Sequence, residues 1–222
     1  MAHWRTLPAC HVSMLQFQQI PPVTRTLLIA CVAVFCLEQF PQLQVDRLFA
    51  LWPVQSSLFL PWQLVTYPFL HANASALFFN LLGLWMFGVE LELLWGTRRY
   101  VQFLLASVLA AAACFALMSL LLGGFGVLAG LSSALFGQLL AFGMLFPRRP
   151  ILLFFVMQTD MRTACIVFGV LQVVLVLASG GMGFVSNLAH LGGMLGAWLV
   201  ILWWRHRPPP FKRKSPPVRR VK

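Results

Sequence analysis

The chain has 222 residues, 60% of them hydrophobic and only 9% charged, with a mean hydropathy of +0.83. Such a composition excludes a soluble globule of this size. At about 20 apolar residues per crossing, the length allows at most about eight membrane spans, hence one compact membrane domain. The net charge of +11 would favour nucleic acid in a soluble protein. Here the basic residues stand at the ends of apolar runs and in a Pro-rich tail, where they act as topology signals, so no nucleic-acid partner is expected.

In chain order, residues 1–23 are mixed in character and lack the charged, apolar, small-residue form of a cleavable signal peptide, so they read as a cytosolic N-terminal segment. The membrane domain is expected over 24–204. Its first crossing is placed at 24–40, as an uncleaved anchor that starts just after Pro21-Pro22. Residues 41–71 are rich in Trp, Phe and Leu, but Pro53, Pro61 and Pro68 interrupt any straight crossing. They read as a structured loop lying partly in the interface, with Trp52, Trp62 and Tyr67 as interfacial anchors. Further crossings are expected at 73–91, 100–122, 131–146, 161–178 and 184–204, with a mixed apolar stretch at 151–160 before the fifth. The remainder, 205–222, is a basic Pro-rich cytosolic tail without expected order.

Six crossings make an all-α membrane bundle, and the positive charges orient it. Arg98 and Arg99 fall between spans two and three, Arg148, Arg149 and Arg162 between four and five, and Arg205, Arg207, Lys212, Arg213 and Lys214 after six. All lie on one side, whereas the opposite side has Arg47 beside Asp46. Both termini are therefore expected inside, with 41–72, 123–130 and 179–183 outside.

Polar groups at membrane depth are costly and become functional candidates by default. They are His71 and Asn80 on span two, Ser132 and Ser133 opening span four, and Asn187 and His190 on span six. These spans all start on the outer side. At about 1.5 Å per residue, Asn80 and His190 lie roughly 10 Å below the starts of their helices. Ser132 reaches that depth if the short fourth span begins sunken. An amide, a hydroxyl and an imidazole can then meet in a shallow cavity open to the outside.

That trio has a chemistry. An imidazole that takes the serine proton makes a nucleophile, and an amide with first-turn backbone N–H groups can hold the oxyanion that follows. Gly130 suits close approach of a substrate backbone. The five cysteines, Cys10, Cys31, Cys36, Cys114 and Cys165, include no C-x-x-C pair, so neither a disulfide framework, a metal site nor a cofactor is expected.

Gly130-Leu131-Ser132-Ser133-Ala134 and Ala189-His190-Leu191-Gly192-Gly193, with His71 and Asn80 nine apart at the start of span two, resemble the motifs of the rhomboid family of intramembrane serine proteases. The resemblance runs from span one to span six. It implies a six-transmembrane-helix rhomboid-like bundle, a Ser132/His190 dyad without an acidic third member, and hydrolysis of peptide bonds in or near transmembrane segments of other membrane proteins. It further implies a multi-pass protein of a bacterial cytoplasmic (inner) membrane, whose partners are transmembrane substrates and the bilayer. The oligomeric state stays open.

Three departures from the family pattern stand out. Ala76 occupies the place of a second histidine that helps hold the oxyanion, and Asn73, seven residues before Asn80, is expected to substitute in part for that donor. The usual Trp-Arg pair of the first outer loop reads Trp62-Gln63, and Ser133 follows the nucleophile where glycine is frequent. Phe136 falls where an aromatic ring often packs on the histidine, and His71 reads as a structural residue at the interface. Because of Ala76, a second reading stays open: a catalytically weak or inactive rhomboid-like protein that binds transmembrane clients. A transporter or channel would call for charged groups along a full crossing path or a broken-helix repeat, and neither is apparent in the sequence.

Overall fold

A computed structural model describes residues 20–123, 126–153, 157–179 and 181–206. The expected N-terminal segment and basic tail lie almost wholly outside these residues.

Pro22 opens α1 (Pro22–Glu38), where its missing N–H costs nothing and its fixed φ suits the first helical turn. The next donors of that end are satisfied from elsewhere in the chain. Val23 and Thr24 give their backbone N–H groups to the buried carboxylate of Glu92 at 3.0 and 2.8 Å, and Thr24 and Thr97 add their hydroxyls. A buried carboxylate thus stands at the positive end of a helix dipole with its lone pairs occupied.

The long loop that follows holds α2 (Val45–Phe49), α3 (Gln63–Thr66) and a 3-10 turn at Tyr67–Phe69. Fully buried Gln63 knots it together: its carbonyl accepts from Trp52 and Leu60, and its amide donates to the carbonyls of Arg47 and Leu58. Tyr67 is not the interfacial anchor expected of it. It is fully buried, and its hydroxyl donates to the Val108 carbonyl at 3.0 Å. Trp62 does stay exposed, with its indole N–H on the carbonyl of Leu48.

Next come α4 (Ala74–Gly83), a π turn at Leu84–Gly88 and α5 (Val89–Trp95), which run together as one 22-residue apolar helix. They are followed by α6 (Thr97–Leu122) and α7 (Ser132–Leu145). The stretch read as mixed and apolar is an antiparallel hairpin, β1 (Pro150–Leu153) with β2 (Met157–Asp160), so a two-stranded ribbon sits beside the otherwise helical fold. Asp160 then caps α8 (Met161–Ala178) by accepting from the Thr163 N–H at 2.7 Å, and α9 (Gly181–His206) closes the bundle.

Among the described residues, four helices are long and apolar enough to cross a membrane: Ala74–Trp95, Thr97–Leu122, Met161–Ala178 and Gly183–Arg205. The places of the expected first and fourth crossings are taken by α1, with 17 residues, and α7, with 14. The protein is a multi-pass, all-α membrane bundle. At its centre α6, α7 and α9 pack through small residues. A Cβ on Gly196 would lie 2.5 Å from the Ala106 carbonyl oxygen, and one on Gly192 would lie 2.8 Å from Cys114 Cβ. Backbones brought this close hold by dispersion and by bonds such as Ser107 Oγ to the Gly193 carbonyl, 2.6 Å.

Candidate active site

The segment leading into α7 is held down by the loop that follows α1. Leu51 and Leu128 exchange backbone hydrogen bonds of 2.9 Å, and the Gly130 N–H donates to the Tyr67 carbonyl at 2.9 Å. Gly130 has φ of +108°, a conformation that a residue with a Cβ rarely adopts, and this sharp entry delivers Ser132 as the first residue of α7.

Ser132 Oγ lies 2.8 Å from His190 Nε2. The imidazole comes from the middle of α9, and the ring of Phe136, one turn beyond Ser132 on α7, stacks on it with centroids 5.0 Å apart and planes at 24°. Its other nitrogen, Nδ1, is 3.1 Å from Oε1 of Gln172 on α8. Three helices thus fix one imidazole. Gly193, one turn further along α9, makes the approach of α9 to α7 close: a Cβ there would overlap the carbonyl oxygen of Ser133.

Asn80 is buried on α4. Its Nδ2 and Ser132 Oγ lie 3.9 and 3.8 Å from the point where a Cβ of Gly130 would stand. The absent side chain therefore leaves a small space flanked by the hydroxyl, the amide and the carbonyl oxygen of Leu70, itself 3.8 Å away. A substrate carbonyl placed there would lie near both a hydroxyl and an N–H donor.

Asn73 departs from expectation. Seven residues from Asn80 it shares roughly the same helical face, but it is exposed and caps α4, with Oδ1 accepting from the Ala76 N–H at 2.8 Å and from Ser75 Oγ at 2.7 Å. Capping by a local backbone donor wins over reach along the helix. Asn73→Ala is expected to cost about 1 kcal/mol of stability through the lost cap. It should leave turnover per folded molecule unchanged, as a melting curve beside a cleavage assay would read. Ser133 points away from the imidazole and gives its hydroxyl hydrogen to Tyr67 Oη at 3.0 Å, since the tyrosine's own proton is spent on Val108. Asn187 ties α9 to the end of α8 through Ser179 Oγ at 3.3 Å.

His71 is buried, with its backbone N–H on the Glu38 carboxylate at 3.2 Å and Nδ1 on the Phe69 carbonyl at 3.1 Å. Burial holds its imidazole below the usual value, and the bond to Glu38 ties the end of α1 to the entry of α4.

A family model of the rhomboid domain matches residues 60–207. The chain belongs to the rhomboid family. The rhomboid protease GlpG of Yersinia pestis (strain Pestoides F) is 27% identical over 204 residues, covering 89% of this chain and 68% of that protein. The rhomboid protease GlpG of Serratia proteamaculans (strain 568) is 32% identical over 194 residues, covering 84% of this chain and 64% of that one. Within this rhomboid domain, Gln63 anchors its loop by hydrogen bonding alone. Ala76, one turn before Asn80, brings no side-chain donor to the site.

Proposed function

We propose that the chain is an intramembrane serine endopeptidase that cleaves peptide bonds in or near transmembrane segments of other membrane proteins. The observation that carries this reading is the 2.8 Å contact between Ser132 Oγ and His190 Nε2 at the start of a helix, beside a buried amide. In the first step the Ser132 proton passes to His190 Nε2 as Oγ attacks the scissile carbonyl carbon. Asn80 and the first-turn N–H groups of α7 receive the negative charge on the carbonyl oxygen. Collapse of the intermediate breaks the C–N bond and returns the proton to the leaving amine. Water then repeats the cycle on the acyl enzyme. Charge counting across the connections supports the expected orientation, with both termini on the cytosolic side of a bacterial inner membrane and the site facing out.

A second reading, binding of transmembrane clients without cleavage, is favoured by Ala76, which brings no side-chain donor to the site, while Asn73 is exposed at the start of α4. A fluorophosphonate probe separates the two. Its phosphorus is attacked by an activated serine with loss of fluoride, so the reconstituted protein should be labelled on Ser132 and should cleave members of a panel of single-span reporters. Protein that takes up no label and cuts no reporter is a binder. Product formed without label on Ser132 overturns the assignment of the nucleophile.

A further inference from the structure

The reaction proposed above uses one nitrogen of the imidazole, and the other decides whether the first is ready. Nε2 can take the serine proton when it presents a lone pair, which places the ring proton on Nδ1. Without a partner at Nδ1 a neutral imidazole divides between two tautomers, one of them inert toward Ser132. Gln172 supplies such a partner. Its Oε1 lies 3.1 Å from His190 Nδ1, and a carbonyl oxygen there can only accept, so this contact selects the Nδ1–H form.

The placement of Gln172 on α8 sharpens the point. α8 is an outward-facing helix: its neighbours Leu171, Val173 and Val174 are exposed, as are Ile166, Val167 and Val170. Gln172 is 5% exposed and turns inward to the histidine. None of the chain's five acidic residues serves in its place. Glu38 meets the His71 backbone, Asp46 lies in the first turn of α2, Glu90 pairs with Arg149, Glu92 caps α1 and Asp160 caps α8.

We infer that Gln172 is a positioning residue for His190: a neutral third member of the site that fixes the base's tautomer and orientation from a third helix. When the proton arrives on Nε2 the ring becomes imidazolium, and the Nδ1–H bond to the amide oxygen becomes charge-assisted without changing partners. An amide achieves this at membrane depth without the desolvation cost of a buried carboxylate. Selection of a tautomer by the second nitrogen's partner is what an acidic third group does in other serine hydrolases, where losing the correct tautomer is severe. The inference rests on the Ser132/His190 reading, and its test must fail separately from that reading.

The test uses the full chain in detergent or vesicles, a cleaved single-span reporter, and histidine labelled with nitrogen-15 for magnetic resonance of the ring nitrogens. In the unaltered protein His190 should show a protonated Nδ1 and an unprotonated Nε2. Gln172→Met keeps the shape and removes the acceptor. It should lower kcat roughly ten- to hundredfold with KM within about twofold, and His190 should shift to a mixture of tautomers. A glutamine that is merely satisfied by packing would instead leave kcat and the ring signals alone while changing the melting temperature. Ser132→Ala is the control: if it still cuts, the Ser132/His190 reading falls. If Ser132→Ala is dead while Gln172→Met retains kcat within about twofold, the positioning role alone falls. An Nε2-protonated His190 in the unaltered protein overturns the role without any variant, so a Gln172→Met chain that does not fold leaves the test standing.

Discussion

Gly193→Ala is expected to reduce reporter cleavage more than a hundredfold and to lower the melting temperature of the bundle. The added Cβ would overlap the Ser133 carbonyl oxygen, lie 2.9 Å from that carbonyl carbon and 3.2 Å from Ser133 Cβ. Two of these atoms are backbone at the first turn of a helix, so no side chain can rotate out of the way. The methyl has to be accommodated by moving α9 off α7 by about an ångström, since carbon contacts settle near 3.5–4.0 Å. His190 is one turn away on the same helix, and its Nε2 stands at 2.8 Å from Ser132 Oγ. A shift of that size takes the pair outside hydrogen-bonding range. Misplacement by about 1 Å can cost a hundredfold in rate, and overpacking about 1–3 kcal/mol in stability. The Ser107 hydroxyl that donates to the Gly193 carbonyl would be stretched by the same motion. Gly169→Ala is the control, because its nearest neighbour would be Met194 Cε at an ordinary 3.7 Å, and it should stay within twofold of the parent. Normal cleavage by Gly193→Ala would mean that α7 and α9 are not held together here.

The helices were legible because a run of apolar residues of bilayer length has few other uses, and Pro22, Asp160 and the glycines mark its ends. Ser132, His190 and Asn80 were legible by a different rule: a polar group at depth needs a reason. The same rule pointed to Gln172, which is the strongly polar residue in mid-span of 161–178, and it passed unnoticed because no motif contains it. Its meaning needed the third dimension, since spacing within α8 says nothing about which residue of α9 it faces. Gln63 was hidden for a related reason. A loop's internal hydrogen bonds depend on where its backbone folds back, and the Trp62-Gln63 pair shows a substitution without showing the five groups that the glutamine joins. The hairpin at 150–160 was unreadable as strand because seven consecutive apolar residues, 151–157, erase the alternation that identifies one. Asn73 misled because helical spacing gives the face a residue occupies, whereas an asparagine at a helix start spends its oxygen on the nearest backbone donor.

Asn80→Ala is expected to lower kcat by about a hundred- to a thousandfold while changing KM by no more than a few-fold. In the ground state the substrate carbonyl oxygen carries a small partial charge, and its loss of one donor costs little. In the tetrahedral intermediate that oxygen bears nearly a full charge, and a positioned N–H is worth far more to it. The Gly130 space brings Asn80 Nδ2 and Ser132 Oγ within 3.9 and 3.8 Å of one point, so both can reach the same carbonyl group. Ala76 cannot share the charge, and Asn73 is exposed at the cap of α4 whereas Asn80 is buried, so the burden falls on Asn80 and the start of α7. Asn80→Asp should be no better than alanine, since an ionised carboxylate accepts and cannot donate, and its charge would repel the oxyanion. Fluorophosphonate labelling of Ser132 reads the activated hydroxyl apart from peptide turnover. Both variants should melt within a few degrees of the parent, which separates a lost donor from a lost fold. A fall smaller than about tenfold in Asn80→Ala would assign the oxyanion to the backbone N–H groups of α7 and leave Asn80 as a wall of the cavity.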